Sequence, residues 1–170
     1  KRDWSSDVCS SDLHPDLNSE FIFYSAAHNM RPTEIGAVLG LNQLQQLDHN
    51  IEIRNRNFHY FLSKLNKNRF FTEFSLNGCS NYALILIMKE PNIEQRDQIE
   101  SLMKMSNIEF RRGLSGGGNQ TRQPYLKKAG FHFNPTDFPV TEQIHHYSWY
   151  VGNFPDLELS EIDRLCDLLN

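Results

Sequence analysis

The stretch from Pro32 to Leu47 is the strongest constraint this sequence places on its own folding. Pro32 suits a first helical position and Glu34 suits a helix N-terminus. Only Gly36 and Gly40 interrupt the residues after them, so a helix over about 32–47 is predicted. Ile35, Val38, Leu39, Leu41 and Leu44 leave that helix apolar almost all round. A helix without a polar face has to be covered. The uncharged apolar runs, Ile35 to Leu41 and Tyr82 to Met88 being the longest, are far short of the ~20 residues that cross a bilayer. The cover must therefore be protein, and a chain lacking it exposes the 35–44 surface and aggregates. Gly36 and Gly40, four apart on one face, admit close approach of another backbone, either within the chain or across a subunit interface.

At 170 residues the chain is one domain or a piece of a larger protein. Hydrophobic residues at 39% and charged residues at 22% exclude intrinsic disorder, collagen-like repeats and a coiled coil. Lys and Arg number 17 against 21 Asp and Glu, a net charge of −4. No general positive field exists to hold nucleic acid or an anionic membrane, and any bound anion must meet a local cluster. Three well-separated cysteines, Cys9, Cys79 and Cys166, fit a reducing compartment without a disulfide framework. No signal peptide is present, so a cytoplasmic location is expected. Residues 2–13, rich in Ser and Asp around a lone Trp4, resemble one reading frame of a common sequencing adaptor. They are expected to carry neither structure nor function, and the natural sequence to begin within a gene near His14.

A second helix over about 49–66 places Ile51, Phe58, Phe61, Leu62 and Leu65 on one stripe, with Arg54, Arg56 and Lys64 largely outside it. Asn81 to Met88 reads as a strand buried on both faces. After Pro91 an amphipathic helix carries Ile99, Leu102 and Met103, and Ile108 to Arg112 alternates as a half-exposed strand. Strand, helix, strand makes a small α/β layer. Tyr147 to Val151 gives a further strand, and Ser160 with Asp163 caps a last helix whose Ile162, Leu165, Cys166 and Leu169 face inward.

Between Lys104 and Lys128 stand six basic residues, Lys104, Arg111, Arg112, Arg122, Lys127 and Lys128, and one acid, Glu109. They enclose Ser115-Gly-Gly-Gly-Asn119, whose glycines let backbone amides approach an oxyanion while the arginines bind phosphate bidentately. A flexible hairpin with solvated arginines is the plainer reading, and the spacing is not that of a Walker loop. Asn29-Met-Arg31-Pro-Thr-Glu34 sets an amide and a guanidinium at a helix start, either as an anion site or as a cap. No catalytic engine is evident: the lysines fall on polar faces or at element ends, and adjacent His145 and His146 make no metal pair. Cys79 and Cys166 read as core or inert residues.

The string Asn29-Met-Arg-Pro-Thr-Glu-Ile-Gly-Ala-Val-Leu-Gly-Leu-Asn-Gln-Leu44, with Arg54 after it, resembles the DegT/DnrJ/StrS family of pyridoxal-phosphate-dependent sugar aminotransferases. So do Phe110-Arg-Arg112, Asn119-Gln-Thr-Arg-Gln-Pro-Tyr125 and Val151-Gly-Asn-Phe-Pro155, in the same order and covering His14 to Asn170. The resemblance implies the C-terminal portion of an aspartate-aminotransferase-like chain of fold type I, a small α+β domain preceded by long helices. Residues 14–48 would end the large domain and connect it, and residues 49–170 would form the small domain. It implies pyridoxal 5'-phosphate, or its pyridoxamine form, as cofactor. The substrate would be a nucleotide-diphosphate sugar of the 4-keto-6-deoxy kind, for surface polysaccharide or deoxysugar synthesis, and the enzyme a homodimer sharing its cofactor site. Asn29 and Arg31 match cofactor-phosphate positions; Arg111, Arg112, Asn119 and Arg122 match part of the nucleotide-sugar site. Ala27-His28 stands where the family has Gly-Tyr. The aldimine lysine would lie upstream, leaving this chain by itself without a catalytic residue. Gly117-Gly-Asn-Gln-Thr-Arg-Gln-Pro124 resembles the branch that removes the sugar 3-hydroxyl, in which histidine replaces that lysine. The competing reading is a stand-alone α/β module that binds phosphate or RNA. Against RNA, aromatic residues do not interleave with the arginines apart from Phe110 and Tyr125.

Overall fold

A computed structural model describes residues 14–18, 22, 33–114 and 117–170. The elements are α1 (Glu34–Leu44), α2 (Leu47–Lys64), β1 (Ala83–Ile87), α3 (Ile93–Met105), β2 (Phe110–Arg112), α4 (Pro124–Lys128), α5 (Pro139–Tyr147), β3 (Ser148–Gly152) and α6 (Leu159–Leu169). Single 3-10 turns lie at Gln120–Arg122 and Pro135–Asp137. The strands form one sheet in the order β1-β3-β2. The described residues divide into two compact units, one of residues 111–149 with 14–18, the other of residues 33–110 with 150–170. The divisions fall within β2 and β3.

The second unit is built on the sequence periodicities. From α2, Phe58, Phe61 and Leu65 are buried, as are Ile162, Leu165, Cys166 and Leu169 from α6, the whole of the stripe predicted for that helix. Leu84, Leu86 and Met88 from the β1 segment join them, with Phe70 bridged to Met88. The α2–α6 contact carries a polar edge: Tyr60 donates to Asp163 at 2.7 Å and Lys64 pairs with the same carboxylate at 3.3 Å. At the end of α3, Arg164 of α6 donates to the Ser106 carbonyl at 2.6 Å.

A buried asparagine knot ties the ends of these elements. Asn153 donates through Nδ2 to the carbonyls of Arg54, at 2.9 Å, and Asn81, at 2.7 Å. Its backbone N–H reaches the Tyr82 carbonyl at 3.0 Å, and its Oδ1 accepts from Asn57 at 3.3 Å. Asn81, at φ 45°, in turn donates to Asn55 at 2.7 Å. Asn57 and Asn153 are both buried, where paired amides specify one arrangement because an unpaired one is costly.

The structure departs from the sequence reading at identifiable places. Leu102 is 41% exposed and Glu100 takes the buried position, because the inward arc of α3 centres on Ile99 and Met103 and turns toward residue 100. Glu158, not Ser160, precedes the first turn of α6, without a side-chain cap. Cys79 is exposed, whereas Cys166 is buried. Arg54 is half-buried rather than outside the stripe, its Nε buried and without a hydrogen-bond partner among the described residues.

Helix α1 is capped by Thr33, whose Oγ1 accepts from Gly36 N–H at 3.0 Å. None of its residues is buried; Ile35 is 75% exposed, and Val38, Leu39, Leu41 and Leu44 are exposed as well. The apolar surface expected of this helix is bare in the isolated chain.

Candidate functional site

Two candidate residues, Asn29 and Arg31, lie outside the described residues. The other four, Arg111, Arg112, Asn119 and Arg122, all belong to the first unit. Arg111 and Arg112 are half-buried on β2. The chain then turns through Gly113 (φ 81°) and Leu114 (φ 57°) and returns through Gly117 (φ 83°) and Gly118 (φ 79°). A Cβ on Gly113 would stand 3.0 Å from the Gly118 Cα. The two stems of the loop thus touch through backbone at Gly113 and Gly118, where a side chain would have no room, and Arg112 and Asn119 flank the point of contact.

Asn119 is buried and caps the 3-10 turn that carries Arg122. Its Oδ1 accepts from the Thr121 N–H at 3.0 Å and the Thr121 hydroxyl at 2.7 Å, and its Nδ2 donates to Glu142 Oε1 at 2.6 Å. Arg122 spreads its guanidinium over two carboxylates. Nε donates to Glu142 Oε1 at 2.8 Å, one terminal nitrogen to Glu142 Oε2, and the other to Asp16. This fork-on-carboxylate arrangement is the strong form of the ion pair.

The electrostatics reflect these contacts. The hydrogen bonds from Arg122, against some cost of burial and with help from Asn119, hold the Glu142 carboxyl at about 2, well below its usual 4.5. At Asp16 burial opposes ionisation, yet the Arg122 hydrogen bond and charge outweigh it and the carboxyl is lowered. Arg122 is held still more firmly protonated, chiefly by Glu142. Three charged groups sum locally to one negative charge, so Arg122 is neutralised where it sits.

Helix α5 supplies the rest of the support. His145, three residues after Glu142, accepts the Asn119 N–H on Nδ1 at 3.2 Å and bonds the Asp16 carbonyl oxygen through Nε2 at 2.8 Å. The glycine loop was expected to bring its amides toward an oxyanion; the Asn119 amide is instead committed to this ring. His146 lies 4.5 Å from His145, ring centre to ring centre at 77°, and 3.6 Å from Glu142. Among the described residues no three His, Cys, Asp or Glu side chains are grouped to hold a metal ion, and no helix is long and apolar enough to cross a membrane. Lys64, Lys67, Lys89, Lys104, Lys127 and Lys128 are all exposed, so none offers the desolvated amine that a pyridoxal Schiff base requires. The described residues therefore do not fit the carbonyl end of that cofactor.

Asp16, Glu142 and His145 were not picked out from the sequence. The available signal was the i, i+3 spacing of Glu142 and His145 behind Pro139 at a helix start, which gains meaning only once the glycine loop is known to lie against that helix.

Comparison with known proteins places these observations. GDP-4-keto-6-deoxy-D-mannose 3-dehydratase of Escherichia coli O55:H7 is 25% identical over 154 residues, 90% of this chain and 39% of that protein. The lipopolysaccharide biosynthesis protein RfbH of Salmonella typhimurium is 23% identical over 148 residues, 85% of this chain and 33% of that protein. The chain thus spans between a third and two-fifths of the length of these relatives. A crystal structure of GDP-4-keto-6-deoxymannose-3-dehydratase with a trapped PLP-glutamate geminal diamine superposes with a TM-score of 0.65. It is 23% identical, and the match covers 94% of this chain and 44% of that one, so the fold is that of the fold type I transferases. The model of the DegT/DnrJ/EryC1/StrS aminotransferase family matches residues 5–170, and the chain belongs to that family.

Proposed function

We infer that this chain is the C-terminal portion of a cytoplasmic, PLP- or PMP-dependent enzyme acting on a nucleotide-linked 4-keto-6-deoxy sugar. It would serve surface polysaccharide or deoxysugar biosynthesis. The single observation that carries the reading is the family match over residues 5–170, which takes in the one basic stretch, Lys104 to Lys128, of an acidic chain. The 3-dehydratase branch is favoured over ordinary aminotransferases by the run Gly117-Gly-Asn-Gln-Thr-Arg-Gln-Pro124 and by the activity named for the E. coli relative.

In this reading Arg111 and Arg112 supply the charge that meets the sugar diphosphate. Asn119 and Arg122 belong to the same site, but their hydrogen bonds to Glu142 make them its frame, and a phosphate oxygen reaching Arg122 has to displace Asp16. Asn29 and Arg31 hold the cofactor phosphate, Asn29 across a homodimer interface. When bound, the cofactor supplies an electron sink for the sugar carbon; this chain's part is orientation and charge. The exposed apolar residues of α1 need protein cover, which the rest of the enzyme or a second subunit supplies.

The test is Arg112→Ala in the complete enzyme, assayed with a GDP-linked 4-keto-6-deoxy sugar. Losing one desolvated contact to a charged group costs roughly 1.5 to 3 kcal/mol, so KM should rise about 10- to 150-fold with a smaller change in kcat. An unchanged KM removes the phosphate role.

A further inference from the structure

His145 is 4% exposed, and both of its ring nitrogens meet backbone groups of fixed polarity. The Asn119 N–H, 3.2 Å from Nδ1, can only donate; the Asp16 carbonyl oxygen, 2.8 Å from Nε2, can only accept. The pair defines a neutral ring with its hydrogen on Nε2, since an imidazolium carries hydrogens on both nitrogens and would set Nδ1–H against the Asn119 N–H. Gly118 is fitted to the same ring: a Cβ there would lie 2.3 Å from Nδ1. One histidine thus joins residue 16, the returning stem of the glycine loop and helix α5.

We propose that His145 is the positioning residue of the returning stem of the glycine loop, a neutral bridge that holds Asn119 and the turn carrying Arg122 against α5, and that proton uptake by its ring opens the bridge and leaves that stem held by Glu142 alone. Four titratable or charged groups surround the ring. Glu142 and His146 stand on its own helix, Asp16 on the segment at residues 14–18, and Arg122 on the turn after Asn119, bound to both carboxylates. Glu142 clasps the Asn119 side chain and Arg122 directly, so an open bridge leaves the loop held from one side. The effect on substrate rests on the nucleotide-sugar reading above; the bridge itself does not.

The experiment uses the full chain, labelled with 15N. At neutral pH the His145 ring nitrogens should show the Nε2–H tautomer, and the Asn119 amide should be protected from exchange. On acidification the Asn119 protection factor should fall at least tenfold over the pH range in which His145 takes up its proton. His145→Asn restores an acceptor at the Nδ1 position and should keep Asn119 protected with no pH step. His145→Phe should leave it unprotected at every pH, and if that variant fails to fold, the native titration with the Asn variant decides. An Nδ1–H tautomer at neutral pH, or a protection factor indifferent to His145 titration, overturns the proposal. Titration with GDP separates the two ideas. In the complete enzyme, affinity falling in step with His145 protonation supports both, whereas a protection step without GDP binding at any pH retains the bridge and discards the nucleotide reading.

Discussion

Replacing Glu142 by Gln tests the physical account of the site at its centre. The native carboxylate takes hydrogen bonds from Asn119 Nδ2 at 2.6 Å and Arg122 Nε at 2.8 Å, with a further one from an Arg122 terminal nitrogen. Glutamine keeps the shape and one acceptor but removes the charge, leaving Arg122 paired with Asp16 alone. The fall of the Glu142 carboxyl from 4.5 to about 2 corresponds to a ceiling of about 3 kcal/mol at roughly 1.4 kcal/mol per unit. The side chains of Glu142 and Arg122 are 16% and 19% exposed, so solvent screening and the retained acceptor reduce this to about 2 kcal/mol. With a urea dependence of roughly 2 kcal/mol per molar, the unfolding midpoint of the full chain should drop by about 1 M at pH 7. The sign of the pH effect is fixed as well. A carboxyl depressed in the folded state stabilises fully above its unfolded value of 4.5, and that contribution disappears as pH falls from 4.5 toward about 2. The wild type should lose it over that range and the Gln variant should not. Equal midpoints at pH 7, or parallel acid profiles, would refute the claim that this ion pair holds the loop.

Two other parts of the molecule give further expected outcomes. Asn153→Ala removes the acceptor of the buried Asn57 Nδ2 and the side-chain donor shared by the Arg54 and Asn81 carbonyls. It should destabilise the unit containing α2 and α6 by roughly 2 to 4 kcal/mol in chemical denaturation, and a loss below 1 kcal/mol would show that water replaces the knot. Exchanging Val38 and Leu41 together for Glu removes apolar surface that is exposed on α1. Each such side chain gains about 1.5–3 kcal/mol on burial, so the double variant of the full chain should sediment as smaller species than the wild type. A wild-type chain already monodisperse and monomeric would contradict the need for cover.

The sequence features legible without coordinates are those that side-chain periodicity encodes locally. Ile162, Leu165, Cys166 and Leu169 repeat at helical spacing and are all buried, and Ala83–Ile87 is the apolar run that forms β1. The aspect of α3 was less legible, because Ile99 and Met103 fix a direction but not which shoulder, residue 100 or residue 102, turns inward. Helix α5 escaped notice because the residue it buries is His145, not an aliphatic stripe. Arg111, Arg112 and Arg122 stood out by composition, and Asn119 by the family resemblance. Their partners did not, since Glu142 lies 20 residues from Arg122 and Asp16 lies 106 away, and no local pattern links groups so separated.

The α2–α6 contact has a bearing on synthesis. Tyr60 and Asp163 are 103 residues apart, so although Phe58 meets Phe74 early, a ribosome must finish β1, α3 and everything up to α6 before the α6 side of α2 can be covered. Once made, α2 therefore keeps that flank open until the last helix follows, and a premature stop before Leu159 would strand the nascent product in that state.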